Sequence, residues 1–531
     1  MKRLTLIGIF FAAALLAPTA QAASLVEVEF APPGTWGSTP VYVTAPQGDK
    51  RVFIVERGND ETGIASIRVA EDGVVKAQPF LTISNVDTFF ERGLLSMAFP
   101  PDYATSGLFY VFTVAEGPDA LDLAGQAGDI RIVEYQRSAT DPDTADPTSA
   151  RLVLKNFHPA GNHNGGWMAF GPDGLLYITI GDDADAAKAQ SLSSLSGKVL
   201  RIDPADPDGG GPLTATIPAD NPFVGNPTAR KEVYTYGLRN PYRASFTPDG
   251  VLTVADVGQG DAEEVNAGNL AGKNMGWPAC EGFCAPPNPA LTDPVFDYPH
   301  SPGPDTQTGC AVIGGHVVRD PQLTGLTGRY LYGDLCRSDL RTLGLKDAGA
   351  SPGPAGIDIG GLGQLLSFGE DSRGCIYVVT SQSVYRVAPS PTSASDCPYA
   401  VLPPPPDPDD LPDVTFNSYI PKKRPLALKI QVAGKCSIAC SLTASGTVRI
   451  TRNRFRKKPG RVKLLPASRA AEAGARTPLV MRIPVRRIAK IRKAARNGSR
   501  LVANVTVKAV ATDGSGGSGT SQIRLIPRKR R

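Results

Sequence analysis

One phrase recurs along this chain, and it restricts the fold more than any other feature. Residues 169–183 read AFGPDGLLYITIGDD and residues 245–258 read SFTPDGVLTVADVG. A related stretch, LSMAFPPDYATSGLFYVFTV, occupies 95–114, and a weaker copy, SFGEDSRGCIYVVTSQSVYRV, occupies 367–387. In each, an apolar segment carries a phenylalanine near its end, a tight turn follows, and a second apolar run begins. Asp-Gly between β-rich runs is a strong hairpin signal. Phe99 to Phe170 is 71 residues and Phe170 to Phe246 is 76. The interval from Phe246 to Phe368 is long enough to hide a further unit. Strand-like VYVT and VFIVE lie within residues 40–56. A sheet unit repeated at this scale cannot bury its faces alone, whereas a closed ring of them can. The expectation is an all-β chain whose residues 25–388 form a six-bladed β-propeller with long, variable loops. A pair of β-sandwiches would not require the repeated phrase.

The flanks differ from this core. Residues 1–22 carry Lys2 and Arg3, an apolar run from Leu4 to Leu16, and Ala20-Gln21-Ala22. That is the pattern of a signal peptide, too short for a membrane span. No later segment is apolar enough to span, so the expectation is a secreted, periplasmic or cell-surface protein. Eight cysteines agree with an oxidising compartment, although spacing alone does not pair them. Cys280–Cys284 and Cys436–Cys440 have zinc-like spacing, but neither has a second close Cys/His pair. Residues 389–413, containing PPPPDPDD, read as a stiff linker. Residues 414–531 alternate like a small β-sandwich, with Arg486–Arg496 as a short helix or a basic edge.

The net charge of +5 conceals a division. Residues 414–531 hold 29 Lys+Arg and 2 Asp+Glu, so the remainder, with 27 and 49, is acidic. A basic module behind a signal peptide points to an anionic cell-surface polymer. Its few aromatics, Phe416, Tyr419 and Phe455, give no support for nucleic-acid stacking.

Three stretches carry chemistry. Gly161-Asn162-His163-Asn164-Gly165-Gly166 offers a histidine base between glycines that would let a backbone approach a planar ligand. His158 is a partner or a structural group. Tyr236–Arg243 offers Arg239, a rigid donor fork for a carboxylate or oxyanion, and Asn240 beside it. Asp256–Asn266 combines loop carbonyls with carboxylates, a ligand set suited to Ca²⁺ or a solvated acidic turn. The same two readings apply to Gly181-Asp182-Asp183-Ala184-Asp185.

In order, ERGLLSMAFPPDY (91–103), NHNGGWMAFGPDGLLYITIGDD (162–183), LSGKVLRIDP (195–204), YGLRNPYRASF (236–246), DVGQGDAEEVN (256–266) and GKNMGWP (272–278) resemble the soluble glucose/sorbosone dehydrogenase family. The resemblance covers about 30–388 and implies an exported six-bladed propeller using pyrroloquinoline quinone (PQQ) and calcium. It implies oxidation of an aldose at C1 to the lactone, with His163 as general base and hydride passing to the quinone. Arg239 and Asn240 would lie against the quinone and substrate. The carbonyls of Gly258 and Gln259 would ligate the catalytic calcium, and Glu264 a second, structural one. Electrons would leave to an extracytoplasmic acceptor. PQQ-binding members usually carry Gln-Gly-Pro where this chain has Val257-Gly258-Gln259. Arg329, Arg337 and Arg341 are the candidates for the quinone's carboxylates. The loops also resemble hedgehog-interacting relatives, which implies the alternative of a non-catalytic propeller binding a protein or glycan. A calcium-dependent lactonase is a third reading.

Overall fold

Six sheets, antiparallel apart from one short parallel pair in the first, follow one another along residues 23–390 of the computed structural model. Their innermost strands are Pro40–Thr44, Leu94–Ala98, Met168–Phe170, Pro241–Phe246, Val312–Val317 and Leu365–Glu370. Each packs beside the next, and the last packs against the first, so the sheets close into a ring of six blades. The sixth blade takes its outer strand from the other end of the chain. Ala23–Glu27 pairs antiparallel with Val384–Pro389, Ala23 opposite Pro389.

By contact, the chain divides into Met1–Pro404 and Pro405–Arg531. The structure describes residues 23–30, 36–209, 214–300, 309–345, 352–390 and 394–399 of the first unit, and chiefly the strands named below of the second. The signal-like segment 1–22 and the basic run Arg486–Arg496 lie outside the described residues.

The recurring phenylalanine now has a physical role. Phe99 packs on Phe53 of the preceding blade, ring centroids 4.8 Å apart. Phe170 reaches Tyr110 at 5.5 Å, and Phe246 reaches Trp167 and Tyr177 at 6.1 and 5.1 Å. Each ring therefore leaves its own inner strand and contacts the blade before it. Such aromatic pairs add roughly 0.5–1.5 kcal/mol beyond the area they bury.

The hidden unit is the fifth blade, Val312–Val317, Tyr330–Asp334, Asp339–Leu343 and Gly353–Asp358. Its inner strand has Gly314 and Gly315 where side chains would otherwise stand. A Cβ on Gly315 would lie 3.0 Å from Phe368 of the sixth blade. The neighbouring phenylalanine fills that space, so the fifth blade's inner strand carries no phenylalanine of its own and no Pro-Asp-Gly turn follows it.

Residues 394–399 are fastened to the propeller. Cys397 is bonded to Cys375, Arg386 donates to the Ala394 carbonyl at 2.7 Å, and Arg373 pairs with Asp396 at 2.8 Å. Two further disulfides join Cys280 to Cys284 and Cys310 to Cys336. The first of these agrees with setting zinc aside for the CEGFC spacing.

In the second unit, Phe416–Tyr419, Lys429–Cys436 and Thr477–Arg482 form one sheet. Lys423–Pro425, Gly516–Ile526, Arg500–Ala511, Cys440–Thr451, Gly460–Lys463 and Ala467–Ala471 form the other. Leu501, Ala503 and Val505 alternate into the interior, as do Leu479 and Met481 across from them. This period of two is the signature of a strand with one buried face. Among the described residues no helix is long and apolar enough to cross a membrane.

Candidate functional site

Antiparallel order places two sets of loops at one end of the ring: those entering each inner strand and those joining second to third strands. His163 lies in the loop entering the third blade, Arg239 and Asn240 in the loop entering the fourth. Asp182 follows the third blade's second strand, Leu176–Ile180, and Gly258 and Gln259 follow the fourth's, Leu252–Asp256. All six residues therefore belong to the same mouth.

Hydrogen bonds tie these loops into one network. His163 Nδ1 donates to Asp182 Oδ1 at 2.7 Å, and Trp277 Nε1 donates to Asp182 Oδ2 at 2.8 Å. Asp182 N–H donates to the Arg239 carbonyl at 2.8 Å. Gly165 N–H donates to Asn240 Oδ1 at 3.0 Å. The N–H groups of Arg239 and Asn240 donate to the two oxygens of Asp256 at 3.0 and 2.7 Å. Arg239 Nη1 donates to the Val257 carbonyl at 3.0 Å, and its guanidinium stands 5.7 Å over the Trp277 ring. The imidazole, the guanidinium and the Gly258 loop are thus brought together.

The His163–Asp182 bond has a chemical consequence. With Nδ1 holding its proton toward a carboxylate, the neutral ring has its free lone pair on Nε2. That nitrogen can take a proton, and the buried Asp182 carboxylate stabilises the imidazolium that results. The backbone of His163 is held in the left-handed region, φ 57°. Such a conformation costs of order 1–3 kcal/mol in a non-glycine residue and persists where its surroundings over-determine it. Here they do. His163 N–H donates to Glu91 Oε2 at 2.8 Å, and its carbonyl is 3.0 Å from His158 Nε2. Gly181 leaves the space this requires, since a Cβ there would lie 1.9 Å from that carbonyl.

Several expectations change. Gly165 and Gly166 do not serve approach to a ligand. Their Cβ positions would fall 2.7 Å from the Thr179 carbonyl and 2.8 Å from Leu95, so they seat the loop on its own blade. The 181–185 segment is not a solvated acidic turn either. Asp182 and Asp183 are buried, the first on His163 and Trp277, the second against His158 and Lys188. Asp185 caps the short helix Ala186–Gln190. His158 is a buried support of the His163 loop. Burial lowers its pKa, partly offset by the Asp183 carboxylate.

Of the arginines nominated for the quinone's carboxylates, one lies away from the mouth and two are engaged by a neighbouring carboxylate. Arg329 precedes the fifth blade's second strand, at the opposite end of the ring, and donates to Thr342 Oγ1 at 2.8 Å. Arg337 and Arg341 both pair with Asp339, at 2.5 and 3.2 Å.

Carboxylates crowd beneath the Gly258 loop. Burial pushes the Asp256 carboxyl up to about 7 and Glu264 up to about 8; the Asp182 charge adds to the first and the Asp256 charge to the second, against their backbone donors. Glu264 accepts Gly282 N–H at 2.5 Å and Asn266 Nδ2 at 3.3 Å. Buried carboxylates without a cation are unfavourable, and a divalent ion relieves them.

Trp277, Glu91 and Glu281 were not singled out as site residues by sequence reasoning, and Asp182 read only as a Ca²⁺ ligand or a turn residue. Trp277 and Glu91 stand inside matched phrases, GKNMGWP and ERGLL, and that was their only signal.

The six-bladed ring thus brings a histidine–carboxylate pair, an arginine and a glycine-bearing loop to one mouth. The sequence model of the Glucose / Sorbosone dehydrogenase family matches residues 39–386, and the chain belongs to that family. It is 28% identical over 432 residues to the HIPL1 protein of Arabidopsis thaliana, covering 65% of this chain and 60% of that one. It is 29% identical over 352 residues to human Hedgehog-interacting protein, covering 63% and 47%. An aldose sugar dehydrogenase of Escherichia coli is 32% identical over 203 residues, covering 38% and 50%. The chain thus spans about half to three-fifths of these relatives' lengths. Among solved structures, the apo soluble aldose sugar dehydrogenase of E. coli superposes with TM-score 0.55 at 22% identity, over 69% of this chain and all of that one. The PQQ-bound aldose sugar dehydrogenase of Streptomyces coelicolor gives 0.51 at 22%, over 70% and 99%. At these identities the likeness is one of fold.

Proposed function

We propose that the mouth of the ring oxidises an aldose at C1 to the lactone, with PQQ and Ca²⁺ as cofactors. The observation that supports this is the single network joining His163–Asp182, Arg239 and the Gly258–Gln259 loop. The residues present suit the reacting end of the quinone. Arg239 Nε is a buried donor without a partner among the described residues, and the guanidinium stands above the Trp277 ring. The carbonyls of Gly258 and Gln259 accept no hydrogen bond among the described residues and are oxygen ligands suited to Ca²⁺.

His163 Nε2 takes the proton of the sugar's C1 hydroxyl, and Asp182 stabilises the charge that appears on the ring. Arg239 orients the oxygens above Trp277, with Asn240 fixing the loop that holds both. Bound PQQ would supply the oxidant, accepting hydride from C1. Glu264 would hold a second, structural calcium. We further propose export, an extracytoplasmic electron acceptor, and attachment of the basic module to an anionic surface polymer.

The test is reconstitution of the full chain with PQQ and Ca²⁺, followed by dye reduction across a panel of aldoses. Turnover that His163→Gln removes at unchanged melting temperature supports the reading. No quinone absorbance change and no turnover on any sugar overturn it. A second reading, a propeller that binds a protein or glycan without redox chemistry, draws on the engaged Arg337 and Arg341, the displaced Arg329, and the likeness to Hedgehog-interacting protein. Absence of PQQ binding together with capture of a glycan or protein ligand would favour it.

A further inference from the structure

One charge at the mouth has no part in the chemistry above. Glu281 sits in the sequence CEGFC, a five-residue loop closed by the Cys280–Cys284 disulfide. Its Oε1 accepts four successive backbone N–H groups: Gln259 at 2.6 Å, Gly260 at 2.8 Å, Asp261 at 2.9 Å and Ala262 at 3.1 Å. Converging amides of this kind form an anion-binding nest. Here the anion is part of the chain. Burial pushes the carboxyl up, but the four donors outweigh it and hold Glu281 below the usual carboxylate range.

The neighbouring position completes the arrangement. Gly258 N–H points at Glu263 Oε2, 3.3 Å away. A Cβ on Gly258 would lie 1.9 Å from the Ala262 carbonyl and 2.7 Å from Glu281 Oε1, so only glycine lets the carboxylate dock. Every amide from 258 to 262 is therefore committed to a carboxylate. In a tight turn whose N–H groups converge on one side, the carbonyls are directed away from it. Among the described residues the Gly258 and Gln259 oxygens are left without donors. The disulfide loop is anchored at two further points, Gly282 N–H on Glu264 and Phe283 N–H on Asp297 at 2.9 Å.

We infer that Glu281 is a positioning residue for a divalent cation at the Gly258–Gln259 carbonyls, and that the Cys280–Cys284 loop is the clasp that holds it there. The carboxylate acts in two ways. It fixes the turn so that both oxygens are presented before the ion arrives, and it places a negative charge against the same backbone. The inference rests on the reading that this loop binds Ca²⁺, and it adds what sets the affinity.

Calorimetric titration of the metal-stripped full chain with CaCl₂, with and without saturating PQQ, tests it. Glu281→Ala should weaken one class of Ca²⁺ site by about tenfold or more, the range expected when a group supporting metal ligands is removed. Glu281→Gln keeps an oxygen acceptor and loses the charge, so it should fall between Ala and wild type. The double variant Cys280→Ser/Cys284→Ser keeps Glu281 but frees the loop, and it should weaken the same site; it carries the test if Glu281→Ala does not fold. Wild-type affinity in Glu281→Ala or in the double variant overturns the inference and leaves the calcium reading standing. No Ca²⁺ uptake by wild type under either condition overturns that reading, and the inference with it.

Discussion

Replacing Asp182 by Asn tests the proton-transfer half of the proposal at a residue that need not touch the sugar. In the structure the carboxylate takes His163 Nδ1–H at 2.7 Å and Trp277 Nε1–H at 2.8 Å. An amide can accept only one of these, because its NH₂ group would face the other donor. When His163 gains a proton, its charge centre lies about 4 Å from that of Asp182, which at an effective dielectric of 20 is worth about 4 kcal/mol. Losing that attraction should lower kcat about a thousandfold, at about 1.4 kcal/mol per factor of ten. One buried donor left unpaired should cost about 1–3 kcal/mol of stability. The assay is dye-linked turnover of PQQ- and Ca²⁺-loaded protein, beside thermal unfolding. KM should move far less than kcat, since the lost interaction appears only as the ring becomes charged. A kcat within a fewfold of wild type would show that Asp182 merely supports the loop and that His163 is not the base.

Other outcomes follow from the same geometry. Gly181→Ala should displace the His163 carbonyl, now 1.9 Å from the added Cβ position, and lower the melting temperature together with turnover. Thermal scans showing wild-type stability would refute the close approach. His158 is buried, faces Asp183 and lies near Arg92, whose Nη2 donates to its carbonyl at 3.0 Å. Its folded pKa lies below the ordinary 6.5. The unfolded chain therefore takes up this proton first on acidification. The stability that neutral His158 confers is complete above about pH 6.5 and is lost as pH falls toward the folded value. His158→Gln should flatten denaturation midpoints over that window. Deleting residues 414–531 should abolish salt-sensitive retention on anionic cell-wall material, measured by pull-down at several ionic strengths.

Local chemistry made the ring legible. A phenylalanine closing an inner strand and a Pro-Asp turn after it are contiguous signals, and they report blades two, three, four and, more faintly, six. Blade five escaped because Gly315 leaves its space to Phe368, a residue more than fifty positions away. The site divides in the same manner. His163, Arg239 and the Gly258 loop stand in distinctive phrases, and the fold brings them to one mouth. Asp182 read as a turn or a metal ligand because its partners, His163 and Trp277, are neighbours only in space. Glu281 gave no sign at all. An acidic residue between two cysteines acquires meaning only when the four amides it caps arrive from another loop.

The outer strand of the sixth blade comes from Ala23–Glu27, and its partner is Val384–Pro389. On a ribosome, or threading through an export channel, the first of these emerges some 360 residues before the second. The circle cannot be latched until nearly all of the propeller has been delivered. Until then the earlier blades stand as an open arc with two unpaired margins, the state most prone to pair with a neighbour's chain. A protein made this way depends on its folding compartment to keep that arc apart from others for the whole interval before its two ends meet.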